Sequence, residues 1–146
     1  MGTLNIPDRA RVYIDANVFI YTVERHPVYY PLLKPLWQAS QEGRIEVCSS
    51  ELIVLEAMVL PFRTADALLI ADYEKALASS DLILLPMTRE ILLDAAKLRA
   101  SITGLHTPDA IHAATAMGAQ CSLLLTNDRI FQRVLGLNAV VVGDLA

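Results

Sequence analysis

Cysteine is scarce, basic charge is outnumbered, and no apolar run is long enough to cross a bilayer. Each shortage removes a class of protein. Two cysteines in 146 residues, Cys48 and Cys121, are too few for a disulfide scaffold. Cys48 ends one predicted strand and Cys121 begins another, which in a parallel sheet puts them near opposite edges and argues against a bond between them. Acids outnumber bases 16 to 12, a formal charge of −4, which disfavours a protein that coats nucleic acid nonspecifically. The longest greasy stretch, LIVLEAMVLPF, holds Glu56 and meets Pro61, so it is not a membrane span. No signal-like apolar segment opens the chain. The expectation is a cytoplasmic protein with no membrane contact.

Apolar residues make up 54% of the chain, which excludes disorder and leaves apolar surface for a partner. The length suits one domain, residues 1–146. Five short apolar runs alternate with helical patterns, the mark of a parallel α/β sheet. The runs are Val12 to Ile14, Ile45 to Cys48, Leu82 to Leu85, Ser122 to Leu125 and Ala139 to Val142. Helices are expected over Val18 to Glu24, Tyr30 to Glu42, Ser50 to Leu60, Ala65 to Ser79 and Thr88 to Thr103, with a break at Pro61. A last helix runs from the Thr107-Pro108 cap to about Met117.

In such a sheet, chemistry collects beyond the carboxyl ends of the strands. Four acids fall at that edge. Asp15 follows the first strand and Asp128 the fourth; each has a purely structural account as a cap or turn residue. Asp109 sits in a first helical turn, where the dipole alone favours it. Glu56 lies inside an apolar helical run and has no such account, because burying a carboxylate is unfavourable by several kcal/mol unless it is paired or bound to a metal. Glu51 is about 140° away from it around the helix. If strands one and four are neighbours, all four carboxylates converge. Converging anions raise one another's pKa and weaken the fold unless cations sit among them, and hard oxygen ligands call for Mg²⁺ or Mn²⁺.

The ordered series VYIDANVFIY, SSELIVLEAMVL, TPDAIHAATA and LLLTNDRIF resembles the PIN-domain ribonucleases, especially the VapC-type toxins of toxin–antitoxin pairs. The likeness covers most of the chain and is weakest between about residues 61 and 105. It implies a PIN-like, Rossmann-like three-layer sandwich whose five-stranded parallel sheet is ordered 3-2-1-4-5. By resemblance, Asp15, Glu56, Asp109 and Asp128 form the metal-binding quartet, Asn17 supports the first acid, and Thr126 and Asn127 orient water or phosphate. It also implies cleavage of single-stranded or looped RNA to a 5′-phosphate and a 3′-hydroxyl, a cognate antitoxin and a homodimer.

Setting the quartet aside leaves twelve acids against twelve bases, so the acidic balance is that of the site itself. Arg25, Arg63, Arg129 and Arg133 are candidates to grip RNA phosphates. Tyr21, Tyr29, Tyr30, Trp37, Met58 and Leu69 are core residues or part of a partner groove. A metal-free ribonuclease using His26, His106 or His112 is an alternative, as is a PIN-like scaffold that binds RNA or protein without cutting. A haloacid dehalogenase-like phosphohydrolase would want Asp where Asn17 stands and a lysine between Thr107 and Arg133, where none occurs. A phosphoacceptor receiver domain would want a lysine after a late strand, and none follows Leu85, Leu125 or Val142.

Overall fold

Val12, Tyr13 and Ile14 are apolar with no alternation, the pattern of a strand covered on both faces, and all three are wholly buried. They belong to β1 (Arg11–Ile14), the centre of a parallel sheet completed by β2 (Glu46–Ser50), β3 (Ile83–Leu85), β4 (Leu123–Thr126) and β5 (Ala139–Val141). The computed structural model describes residues 4–146. The strand order is β3-β2-β1-β4-β5, as the resemblance implied. Helices α1 (Ala16–Val23), α2 (Tyr29–Gln41), α3 (Leu52–Arg63), α4 (Ala67–Leu77), α5 (Arg89–Ser101) and α6 (Thr107–Gly118) flank it, with 3₁₀ turns over Arg129–Arg133 and Val142–Leu145. Among the described residues no helix is long and apolar enough to cross a membrane.

The two faces have separate cores. Val12, Ile14, Val47, Leu123 and Leu125 pack on α1 to α4 through Val18, Leu33, Leu36, Ile53 and Tyr73. On the other face Tyr13, Cys48 and Leu124 meet Ala113 and Ala116 of α6, with Phe131 and Val134. Full burial of a side chain such as Phe131 stabilises by about 1.5–3 kcal/mol. Small residues make α6 unusual: every position from Ala110 to Ala116 is buried, because the alanines let it lie close between the sheet and α5.

Two expectations fail. α3 continues through Pro61 to Arg63, with the proline's fixed φ compatible with the helix although its missing N–H forfeits one i→i−4 bond. The break falls at Ala65, whose φ of 51° is left-handed, and Asp66 then caps α4 by accepting from Leu69 N at 3.1 Å. Nor are the cysteines near opposite edges. Cys48 lies in the middle of β2 rather than at its end, and the turn after α6, with Gln120 at φ 56°, brings Cys121 back beneath β1. The two free Sγ atoms are 3.4 Å apart.

Asn127, just beyond β4, ties the chain's last turn to α1. Its Nδ2 donates to the Tyr21 hydroxyl at 3.2 Å and its Oδ1 accepts from Gly143 N at 3.0 Å. A Cβ on Gly143 would lie 2.9 Å from that Oδ1. Gly143→Ala is expected to lower unfolding free energy in urea by about 1 kcal/mol, the low end for overpacking. In Asn127→Ala the same substitution should lose most of its effect, and strictly additive losses would contradict the clash.

Candidate active site at the carboxyl end of the sheet

The pairing of β1 with β4 matches Ile14 with Leu125, so the next residues on each strand, Asp15 and Thr126, stand side by side. Both are buried. The Thr126 hydroxyl donates to Asp15 Oδ2 at 2.5 Å, and Val18 N donates to Oδ1 at 3.1 Å. Asp15 is thus the N-cap of α1, as its structural account required, but a cap is ordinarily solvated and this one is only 5% exposed. Burial pushes its carboxyl above the usual range; the bonds from Thr126 and Val18 pull the other way, and the Glu56 charge adds to the rise.

Glu56 reaches inward from α3 to a partner the sequence did not suggest. Its Oε1 is 2.6 Å from His112 Nε2, and His112 Nδ1 is 2.6 Å from the Tyr13 hydroxyl. Burial raises the Tyr13 phenol; a carboxylate oxygen only accepts, so Glu56 takes the bond from Nε2–H, while the Tyr13 hydroxyl and Nδ1 share the other. His112 is only 2% exposed. The available signal was its setting in AIHAATA, small apolar residues on every side.

Asp109 and Asp128 make a second pair. Asp109 is half-buried in the first turn of α6 and Asp128 is exposed. Burial raises the Asp109 carboxyl, and the neighbouring Asp128 charge raises it further. Asp128 Oδ1 accepts from Ile130 N at 3.0 Å, and its own N–H donates to Thr126 Oγ1 at 3.0 Å. Thr126 therefore joins both pairs.

Other candidates stand apart. Asn17 is exposed on the first turn of α1, and the bonds to Asp15 come from Thr126 and Val18 instead. Both ends of the Asn127 amide are engaged as described above. Arg129 is bonded twice to Asp144, at 3.0 and 2.5 Å, and Arg133 donates to Thr103 O at 2.7 Å. The Arg25 guanidinium lies 5.8 Å from the centre of the Tyr30 ring, and Arg63 is exposed. Met58 is buried in the core.

A sequence model of the PIN domain matches residues 12–137. The chain belongs to the PIN-domain family. No curated protein matches its sequence. Solved structures share the fold at low identity. A chain of VapBC2 from Rickettsia felis, bound to a DNA fragment from its promoter, superposes with a TM-score of 0.69 at 16% identity, covering 90% of this chain and 98% of that one. A toxin–antitoxin complex from Klebsiella pneumoniae gives 0.65 at 18%, covering 90% and 97%. DNA-bound VapBC from Salmonella typhimurium gives 0.62 at 21%, covering 91% and 98%.

In this PIN domain the donor set suits a hard divalent cation, because all four acids offer oxygen and two of them are pushed toward protonation by burial. The convergence of all four carboxylates expected from the strand order is met only in part: β1 and β4 are neighbours, but among the described residues no three acid, His or Cys side chains form a metal-holding group, because Glu56 is drawn to His112 and Asp128 to the backbone of Ile130.

A carboxyl whose pKa is higher folded than unfolded supports the fold below about pH 4, its unfolded value, and that support is lost as pH rises through the folded value. Metal-free protein is therefore expected to melt lower at pH 7 than Asp15→Asn, whose amide carries no charge. Mn²⁺ should raise the wild-type melting temperature, more at pH 7 than at pH 4, and raise that of the variant much less. Equal stabilisation of both proteins by Mn²⁺ in a thermal melt would contradict this assignment of Asp15.

Proposed function

We propose that the chain is a Mg²⁺- or Mn²⁺-dependent endoribonuclease, the toxin of a toxin–antitoxin pair, acting in the cytoplasm. The observation that supports it most is Asp15, an acid buried at the end of the central strand whose side-chain bonds among the described residues come from Thr126 and Val18 and from no cationic side chain. Membership of the PIN family supports nuclease chemistry, and the structural neighbours from VapBC and toxin–antitoxin complexes support the antitoxin.

Asp15 and Asp109 hold the principal ion. Such an ion lowers the pKa of a coordinated water and stabilises charge on the oxygens of an in-line displacement at phosphorus. Glu56 serves a second ion or polarises the attacking water, and the Tyr13–His112 relay fixes the rotamer of Glu56 rather than touching RNA. Asp128 contributes a ligand directly or through water. Thr126 is a positioning residue, holding the outer oxygen of Asp15 and the backbone of Asp128 together. The imidazole alternative is disfavoured at His112, because both ring nitrogens are bonded within the protein. A non-catalytic scaffold is the second reading, favoured by the lack of a three-ligand cluster among the described residues.

The partner surface lies on α3 and α4. Leu55, Val59, Leu60, Phe62 and Leu68 are exposed there. Nearby, a cleft of about 860 Å³ that none of the site acids enters is lined by Phe19, Trp37 and Leu69 together with the charged Glu24, Asp66 and Lys75. Apolar surface of this extent suits an antitoxin segment or a second copy of the chain.

Purified protein incubated with single-stranded and hairpin RNA is expected to cut only with Mg²⁺ or Mn²⁺, leaving 5′-phosphate ends. Asp15→Asn should lower the rate at least about a hundredfold, as removal of a transition-state charge stabiliser does; Thr126→Val should lower it about tenfold or more, as loss of an outer-sphere partner does. Equal cutting by wild type and Asp15→Asn, or full activity in EDTA, would overturn the assignment. Mn²⁺ binding without cutting would favour the scaffold.

A further inference from the structure

Away from the four acids, two thiols meet on the α6 side of the sheet. Cys48 is wholly buried in the middle of β2, laddered to Tyr13 of β1 and Ile83 of β3. Cys121 is half-buried in the turn that leads into β4, its N–H bonded to Ala116 O at 3.0 Å. Only β1 separates their strands, and the Sγ atoms stand 3.4 Å apart. The proposed phosphodiester chemistry uses neither thiol.

We propose that Cys48 and Cys121 are an oxidative modification site, closing to an intramolecular disulfide when the protein meets a hydroperoxide, with Cys121 as the attacking sulfur. Two features assign the roles. Cys121 is the more accessible of the two, whereas Cys48 is wholly buried. The Arg11 guanidinium, which donates to Ala119 O at 3.0 Å in the same turn, favours a thiolate at Cys121 and is retained when Cys48 is replaced.

The Cys121 thiolate attacks one peroxide oxygen; the O–O bond breaks, a sulfenic acid forms on Cys121, and hydroxide (or alkoxide) leaves. Cys48 sulfur then displaces the sulfenic oxygen, forming the S–S bond, while that oxygen leaves as water with the Cys48 proton. The two sulfurs lose two electrons and the peroxide gains them. Reaching the bonded separation of about 2.05 Å requires the sulfurs to approach by about 1.3 Å. Cys48 is held by ladders on both sides, so the movement falls to the turn carrying Cys121, which lies outside the ladder.

The test is hydrogen peroxide titration of the wild-type protein, followed by intact mass, thiol counting in denaturant and peptide mapping. The expected result is loss of both thiols together, a mass lower by two hydrogens, a Cys48–Cys121 linked peptide within one chain, and full reversal by dithiothreitol. Cys48→Ala should convert Cys121 to a sulfenic acid trapped by dimedone, while Cys121→Ala should leave Cys48 unmodified at the same dose. Retention of both thiols, oxygen added to Cys121 in the wild type without linkage, or linkage only between chains would overturn the proposal.

Discussion

The hydrogen bond from Thr126 to Asp15 is the contact on which the functional end of the molecule depends. It exists because β1 and β4 are paired in a register that brings their next residues level, and that register follows from the apolar faces of both strands. A single-residue slip would turn Val12 and Ile14 to the wrong face. Core packing of aliphatic side chains thereby sets where the Asp15 carboxyl stands. The same hydroxyl accepts from the backbone of Asp128, so the geometry at the end of β1 is transmitted to the second acid pair.

The four acids form not one symmetrical cluster but two couples bridged by Thr126. A buried imidazole bonded on both sides limits how far Glu56 can wander, while of the other acids only Asp128 is exposed, Asp109 is half-buried and Asp15 is buried. The cost of holding negative charge at this rim is visible in the upward displacement of Asp15 and Asp109. A compensating cation removes that cost, which couples binding to the stability of the fold.

Much of this was legible in the sequence, for physical reasons. Strand runs without alternation announce a sheet covered on both faces, and the acids following Ile14 and the LLLT run fall at one edge once those strands are parallel. Other features depended on distances between elements that no local pattern encodes. His112 is buried because the alanines of α6 let the helix settle flat on the sheet, and its bonds to Tyr13 and Glu56 span two other elements. The approach of the thiols depends on a left-handed Gln120 and on Cys48 lying inside β2 rather than at its end. Arg129 looked free beside Asp128, but its partner Asp144 lies in the closing turn. Pro61 misled because the helix absorbs the loss of one backbone bond there and ends instead before the left-handed Ala65.

The central claim is that the rim beyond β1 and β4 is a cation site. Diffraction at the manganese absorption edge from crystals grown with Mn²⁺ tests it most directly. The account expects an anomalous peak within coordination distance of an Asp15 oxygen and of at least one oxygen from Glu56, Asp109 or Asp128. A fully substituted crystal with no peak at that rim, or with manganese bound only elsewhere, would contradict it.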